Sequence, residues 1–279
     1  MFDSLKKAFN AKQLPGMKHP CDFDVPDLPG LPGMDVGALA SQAGVAMPGG
    51  LPAAPTSSAE LFSTLLNASN DMFGAVKVLA LALPENAAVQ WACESCRLVG
   101  DKLPPTDLKA LDAAELYVKY PGVRTAKLAA EAARGATPDW PGSWAAQAAA
   151  LAGSYPDFAN PMKWGAIGSY VAGGINLCSQ IYSGSWKGFA GDPSKYASGL
   201  PSTDGFWSAA QGALPSTPGM PAPPGLDDVT AYVPPVPFSS DACAGCKSYR
   251  PFVEKGIAIA SDLPENGENS LPEPPELPI

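Results

Sequence analysis

The placement of proline is the feature that most constrains what this chain can fold into. Proline fixes φ and has no backbone N–H, so it ends or kinks helices and interrupts strands. The chain has 32 prolines and 28 glycines in 279 residues, and they concentrate in residues 13–56, in residues 184–240 and at the C-terminal end. Between residues 58 and 185, single prolines instead separate apolar patterns. The sequence therefore predicts a packed core flanked by extended arms.

Helical spacing dominates this middle stretch. Apolar residues recur at steps of three and four, and no segment there alternates with period two. Pro84, Pro104 and Pro121 each fall between two such patterns. We expect six short helices within about 95 residues, a longer glycine-interrupted helix from Asn160 to about Tyr182, and a final helical piece at Cys243–Asp262. The predicted fold class is all-α, a compact bundle of short helices punctuated by proline.

Helix caps and composition set the predicted boundaries. Asp71 or Asn70 suits the N-cap of one helix, and Thr106-Asp107 suits the N-cap of another. The predicted organisation has four parts: an arm, a helical core domain, a Pro/Gly-rich linker, and a segment with Cys-x-x-Cys and an acidic tail. Their bounds are residues 1–57, 58–190, 191–241 and 242–279.

Charge and hydropathy exclude several classes of protein. The formal net charge is −9, which disfavours nucleic acid as a partner, because binding to phosphates needs an excess of Lys and Arg. No apolar run has the length of a signal peptide, and none suits a membrane-spanning helix. Six cysteines without a leader favour a reducing cytoplasm. We expect a soluble, cytoplasmic bacterial protein without membrane insertion.

The strongest candidate for chemistry is a pair of Cys-x-x-Cys elements, Cys93 to Cys96 and Cys243 to Cys246. Four thiolates could hold zinc, but nearly 150 residues separate the two pairs, far more than in a zinc ribbon. Cys93 and Cys96 lie on the apolar stripe of a predicted helix, which favours inert core thiols. Cys243 and Cys246 stand in a more exposed context and are the candidate reactive thiols.

Other catalytic arrangements find little support in the sequence. His19 is the single histidine, and its place in a Pro-rich arm favours a solvated side chain. No nucleophile elbow occurs, and Gly173-Gly174 lacks the Lys-Ser/Thr of a phosphate-binding loop. We predict a protein that is not an enzyme and needs no cofactor.

Tryptophans are the other candidates for function. Trp91, Trp140 and Trp144 fall within or beside helical patterns, which favours packing. Trp164, Trp186 and Trp207 lie in less regular sequence, where exposed aromatic residues often anchor partners. These three are the candidate partner-binding residues.

Several segments resemble one known family in their order along the chain. The first, Leu81–Cys93, has a Leu-Pro followed by a Trp-Ala-Cys helix. The second, Leu111–Arg124, has an Ala-Ala-Glu helix that ends in Pro, with an Arg after it. The last two are Ala-rich helical segments, Ala129–Ala133 and Trp144–Ala150. Together they resemble an uncharacterised family of bacterial helical proteins. The resemblance implies a small α-helical domain met near type VI secretion genes, beside adaptor and spike-tip proteins. It implies no catalytic residue.

Three functional hypotheses remain open from the sequence. The first is a non-enzymatic interaction protein, an adaptor, chaperone or structural accessory, whose arms at residues 13–56 and 191–279 bind a secretion effector or spike component while the core acts as a platform. The second is a thiol-redox or zinc protein that uses the two cysteine pairs. The third is a secreted effector with an unrecognised fold. The cytoplasm is the expected location, and export with a secretion apparatus is the alternative.

Overall fold

A computed structural model gives the tertiary structure. It describes residues 23–26, 28, 31, 35–45, 55–67, 69–153, 161–186 and 242–264, with side chains at all of these except 161–164 and 242–244. His19, Trp207 and most of both predicted arms lie outside the described residues.

The described part of the chain is helical and contains no strand, as the sequence predicts. One short 3-10 turn, Gly100–Lys102, follows the fourth helix. The α-helices in chain order are α1 Val36–Ala43, α2 Ser58–Asn67, α3 Met72–Ala82, α4 Glu85–Arg97, α5 Pro105–Lys119, α6 Val123–Gly135, α7 Pro141–Ala152, α8 Pro161–Ser183 and α9 Ala242–Ser261.

Prolines mark the starts of α4, α5 and α7, which explains why they predict these boundaries well. Pro84 is the N-cap of α4, and Pro105 and Pro141 occupy the first turns of α5 and α7. At these positions the missing N–H costs nothing, because the first N–H groups of a helix have no acceptor within it. The predicted cap Asp71 is confirmed, since its Oδ1 accepts a hydrogen bond from the Gly74 N–H at 2.8 Å.

Helix α7 forms the centre of the bundle and packs against α4, α5, α6 and α8. All of its residues except Gln147 are buried, and half of the twelve residues are alanines, which let the neighbouring helices approach closely. At Gly173 of α8 the approach is so close that an added Cβ would overlap the Trp144 ring. Helix α8 then extends the core to α3 and α9.

The core is larger than the predicted domain of residues 58–190. Helix α1, from the predicted N-terminal arm, packs on α3, and Lys77 Nζ donates to the Ala43 carbonyl at 2.9 Å. Helix α9, from the predicted C-terminal segment, packs on α3, α4 and α8. The boundaries thus need correction, because apolar faces on both helices are buried in the same core.

The described helices differ in length and hydropathy from membrane-spanning helices. Within the described ranges, no helix combines the length and the apolar character required to cross a membrane.

Candidate functional site

The surface that receives α9 is the most distinctive site of the molecule, and we call it the α9 groove. It is formed by the sides of α3, α4 and α8 that face α9. Trp91 of α4 lies at its floor and is 0% exposed. The indole Nε1–H donates to the Phe252 carbonyl at 2.8 Å, so the ring fixes the backbone of α9 as well as filling space.

Gly256 lets α9 lie directly on the Trp91 ring. A Cβ at this position would be 2.6 Å from the indole and 2.9 Å from Leu79 Cδ2, closer than side-chain carbons come in folded proteins. Gly245 is the matched contrast on the same helix, because a Cβ there would meet nothing within 4 Å. The groove therefore selects a residue without a side chain at one point of the bound helix.

A buried polar contact positions the middle of α9. The Tyr249 hydroxyl donates to Asn176 Oδ1 of α8, and both side chains are buried. Burial raises the pKa of Tyr249 well above its ordinary value, so the phenol remains a donor. Within the described part of the chain, Asn176 Nδ2 has no hydrogen-bond partner.

Two further contacts lie at the rim of the groove. Lys255 Nζ is 3.0 Å from Glu94 Oε2, in a half-exposed ion pair. Burial acts to raise the pKa of Glu94, but hydrogen bonds from Gln90 and Lys255 outweigh it and the net pKa is lowered. Phe252 packs edge-to-face on Tyr182, with ring centroids 5.7 Å apart, and Tyr182 remains 48% exposed. The rim of the groove is therefore accessible to solvent, whereas its floor is not.

Cys246 contradicts the prediction of an exposed reactive thiol. Its side chain is 0% exposed, and its sulfur belongs to a disulfide bond. The sulfur lies 3.0 Å from Asn70 Oδ1, at the start of α3. One turn further along α9, the Arg250 guanidinium lies 4.6 Å from the centroid of the Phe23 ring. The apolar face of α9 explains the burial, which the loop-like sequence before Cys243 did not indicate.

Cys93 and Cys96 are buried core residues, as the helical spacing predicts. Both are free, and Cys96 Sγ lies 3.8 Å from Sγ of Cys178, a free and buried cysteine of α8. Cys96 therefore neighbours a cysteine of α8. Within the described residues, no group of three potential ligands is arranged to hold a metal ion. The side chain of Cys243 lies outside the description.

Native-state labelling tests the buried thiols. Burial raises the pKa of Cys93. The hydrogen bond between Cys96 and Cys178, which favours the protonated Cys96 thiol, and then burial raise the pKa of Cys96, so little thiolate forms at either residue near pH 7. We expect maleimide to modify Cys93, Cys96 and Cys178 only as the protein unfolds, as read by mass spectrometry of peptides. A labelling rate at Cys96 that matches that of a free thiol peptide would contradict this packing.

The three tryptophans proposed for partner binding have different outcomes. Trp207 lies outside the described residues, and of Trp164 only the backbone, in the first turn of α8, is described. Trp186 is half-buried and packs edge-to-face on Trp140, with centroids 6.2 Å apart. Part of the Trp186 ring therefore packs against the core. A partner-binding role for these residues stays a prediction.

A small cavity lies between α1, α3 and α8. It is lined in part by Gln42, Lys77 and Ser169 and has a volume of about 30 Å³. This is close to the volume of about one water molecule in the liquid, whereas ligand pockets usually measure about 300 Å³ or more. The cavity can hold water but is too small for a metabolite.

The sequence pattern predicts the α9 helix but not the groove in which it lies. Tyr249, Phe252, Val253 and Gly256 recur at helical spacing, and this pattern signals an apolar face that needs a partner. No local signal links that face to Trp91, which lies 161 residues away from the carbonyl that it binds.

Comparisons with known proteins identify one similarity. The model of a family of unknown function, DUF6931, matches residues 62–187. The match includes α3, α4 and α8, which form the groove, and stops before α9. The chain matches no curated protein and no solved structure.

Proposed function

We propose that this protein acts through protein–protein interaction, as an adaptor, chaperone or structural accessory, and that the α9 groove is its binding surface for helices. One observation carries the proposal: three helices of the family-like region together hold a helix that the chain supplies from beyond residue 241. An amphipathic helix lying in a groove is a recurring mode of protein recognition.

The contacts in the groove match those of a protein interface. An aromatic residue at a dry centre, a few well-placed hydrogen bonds and an ion pair at the rim are typical of binding sites between proteins. Trp91, Tyr249 and the Glu94–Lys255 pair supply these three features.

The class of partner is a second part of the proposal, and it rests on the resemblance drawn from the sequence. That resemblance suggests a bacterial secretion effector or spike component of a type VI apparatus. The protein would meet this partner in the cytoplasm or be exported with it. The rival hypothesis of a thiol or zinc site has less support, because Cys96 lies beside Cys178 and Cys246 is buried in a disulfide.

Cleavage of the linker tests whether the groove binds a helix without a covalent connection. A protease recognition sequence is inserted between residues 191 and 241 of the full chain, and the folded protein is cut in the presence of a reductant that opens the Cys246 disulfide. We expect the fragment that carries α9 to co-elute with the rest of the protein in size-exclusion chromatography at micromolar concentration.

Two matched variants make this test specific. Gly256→Ala should weaken co-elution, because its Cβ would overlap the Trp91 ring, whereas Gly245→Ala should leave it intact. If the wild-type fragment separates from the domain as soon as the linker is cut, the groove is not an autonomous binding site and the proposal fails.

A further inference from the structure

Helix α9 combines a specific fit to the groove with features that weaken it as a helix. Pro251 lies inside α9 and has no N–H, so the Lys247 carbonyl loses its helical donor. Gly245 touches nothing that would require a glycine, and glycine in a helix interior is less favourable than alanine. Helix α9 therefore has a lower intrinsic helix stability than the same helix would have with alanine at both positions.

The residues of α9 that contact the groove define a spacing. The Tyr249 hydroxyl donates to Asn176. Three residues later the Phe252 ring packs on Tyr182, and the Phe252 backbone carbonyl accepts from Trp91. Lys255 pairs with Glu94, and Gly256 lies on the indole. A helix with Tyr at one position, Phe at +3, a base at +6 and Gly at +7 would reproduce every one of these contacts.

We infer that α9 is an internal competitor, and that the groove also accepts a helix of another protein that has this Tyr, Phe, base and Gly spacing without an internal proline. The inference rests on the proposed function, and it adds the chemistry of the partner and its regulation. A partner helix enters when the Cys246 disulfide is reduced and α9 leaves, so the strength of α9 docking sets the apparent affinity for the partner.

The occupant is a helix of a different protein rather than α9 of a second copy. Residues 184–241, 58 in number, connect α8 to α9, and a covalent connection of this length keeps α9 at a higher effective concentration near its own groove than an identical helix on another molecule. The α9 helix of a second copy would therefore not displace the helix already in place. A helix that lacks the proline at 251 and the glycine at 245 can displace it, because such a helix forms at a lower cost in free energy.

The probe is a fluorescein-labelled peptide of residues 242–264 with Gly245→Ala and Pro251→Ala, and with Cys243→Ser and Cys246→Ala to prevent disulfide exchange. Its anisotropy is measured against three full-length proteins under reducing conditions: wild type, Gly256→Ala and Gly245→Ala. We expect Gly256→Ala, whose own α9 overlaps Trp91, to bind the probe about tenfold more tightly than wild type. Gly245→Ala should bind it as wild type does or more weakly.

Two controls keep the test decisive. A probe with an added Gly256→Ala should not bind, since its Cβ meets the indole. Tyr249→Phe in the full chain is the second variant, because it removes only the hydroxyl that contacts Asn176 and serves if Gly256→Ala fails to fold. We expect it to bind the probe about fivefold more tightly than wild type.

Equal affinity of wild type, Gly256→Ala and Tyr249→Phe for the probe would overturn the inference. It would also fail if wild type sediments as a dimer that the probe converts to a monomer, since the occupant would then be a second copy. These failures differ from failure of the proposed function: a fragment that separates after linker cleavage sinks both, whereas a retained fragment with equal probe affinities sinks the inference alone.

Discussion

Replacing Trp91 with alanine is expected to lower the free energy of unfolding by about 3–5 kcal/mol, the usual cost of removing a fully buried tryptophan. The indole is 0% exposed, so its loss leaves a cavity under α9 as well as lost apolar burial. The Phe252 carbonyl also loses the indole donor at 2.8 Å. Urea denaturation followed by far-ultraviolet circular dichroism measures the change without relying on tryptophan fluorescence.

Two other substitutions separate the contribution of the buried ring from that of the indole hydrogen bond. Trp186→Ala is the matched control, because this half-buried ring lies at the edge of the core, and we expect a loss of about 1 kcal/mol or less. Trp91→Phe keeps most of the apolar volume and removes the N–H donor, so an intermediate loss of about 1–2 kcal/mol is expected. Equal losses for Trp91→Ala and Trp186→Ala would show that α9 is not held as the structure describes.

Replacing Asp107 with alanine should lower the free energy of unfolding by about 3 kcal/mol near pH 5. Asp107 belongs to α5, yet its two carboxylate oxygens accept hydrogen bonds from the Gly142 and Ser143 N–H groups of α7, each at 2.8 Å. The side chain is buried, so alanine would leave two buried donors without partners. Asp112→Ala on the same helix is the control, and we expect less than about 0.5 kcal/mol because Asp112 is 65% exposed.

The contribution of Asp107 to the free energy of unfolding should decrease as pH rises. Burial raises its pKa from 3.8 to about 6, although the two backbone hydrogen bonds act to lower it. The folded state therefore binds a proton between pH 4 and 6 that the unfolded state releases, and stability falls as pH rises through this window. Above pH 6 the wild type bears the cost of an ionised buried carboxylate, so the loss in Asp107→Ala should be smaller at pH 7 than at pH 5.

Asp107→Asn tests the sign directly. This variant cannot ionise, so its stability should change less between pH 4.5 and 7 than that of wild type, by about 2 kcal/mol in urea denaturation. A wild type that gains stability relative to Asp107→Asn as pH rises would contradict the assignment of a raised pKa.

Asp107 also shows where local sequence rules stop. Its position near the start of α5 suggested an N-cap for that helix, but Pro104 is the N-cap and Asp107 lies within the first turn. The carboxylate instead caps α7, some 35 residues further along the chain. At Gly142 an added Cβ would be 2.6 Å from the Asp107 carboxylate, so the cap also depends on a glycine in the other helix. Such a cap cannot be recognised from the spacing within either helix.

The sequence by itself determined the helical class, most helix boundaries and the burial of Cys93 and Cys96. These follow from local causes: proline lacks an N–H, and apolar residues at steps of three and four form one face of a helix. Tertiary structure alone decided that α1 and α9 belong to the core, that Cys246 is buried, and that Trp91 binds the backbone of α9. An amphipathic pattern shows that a face must be covered but carries no information about which distant surface covers it, because burial of apolar area is non-directional. The partner of each face is chosen by shape, here by the fit of Gly256 on an indole.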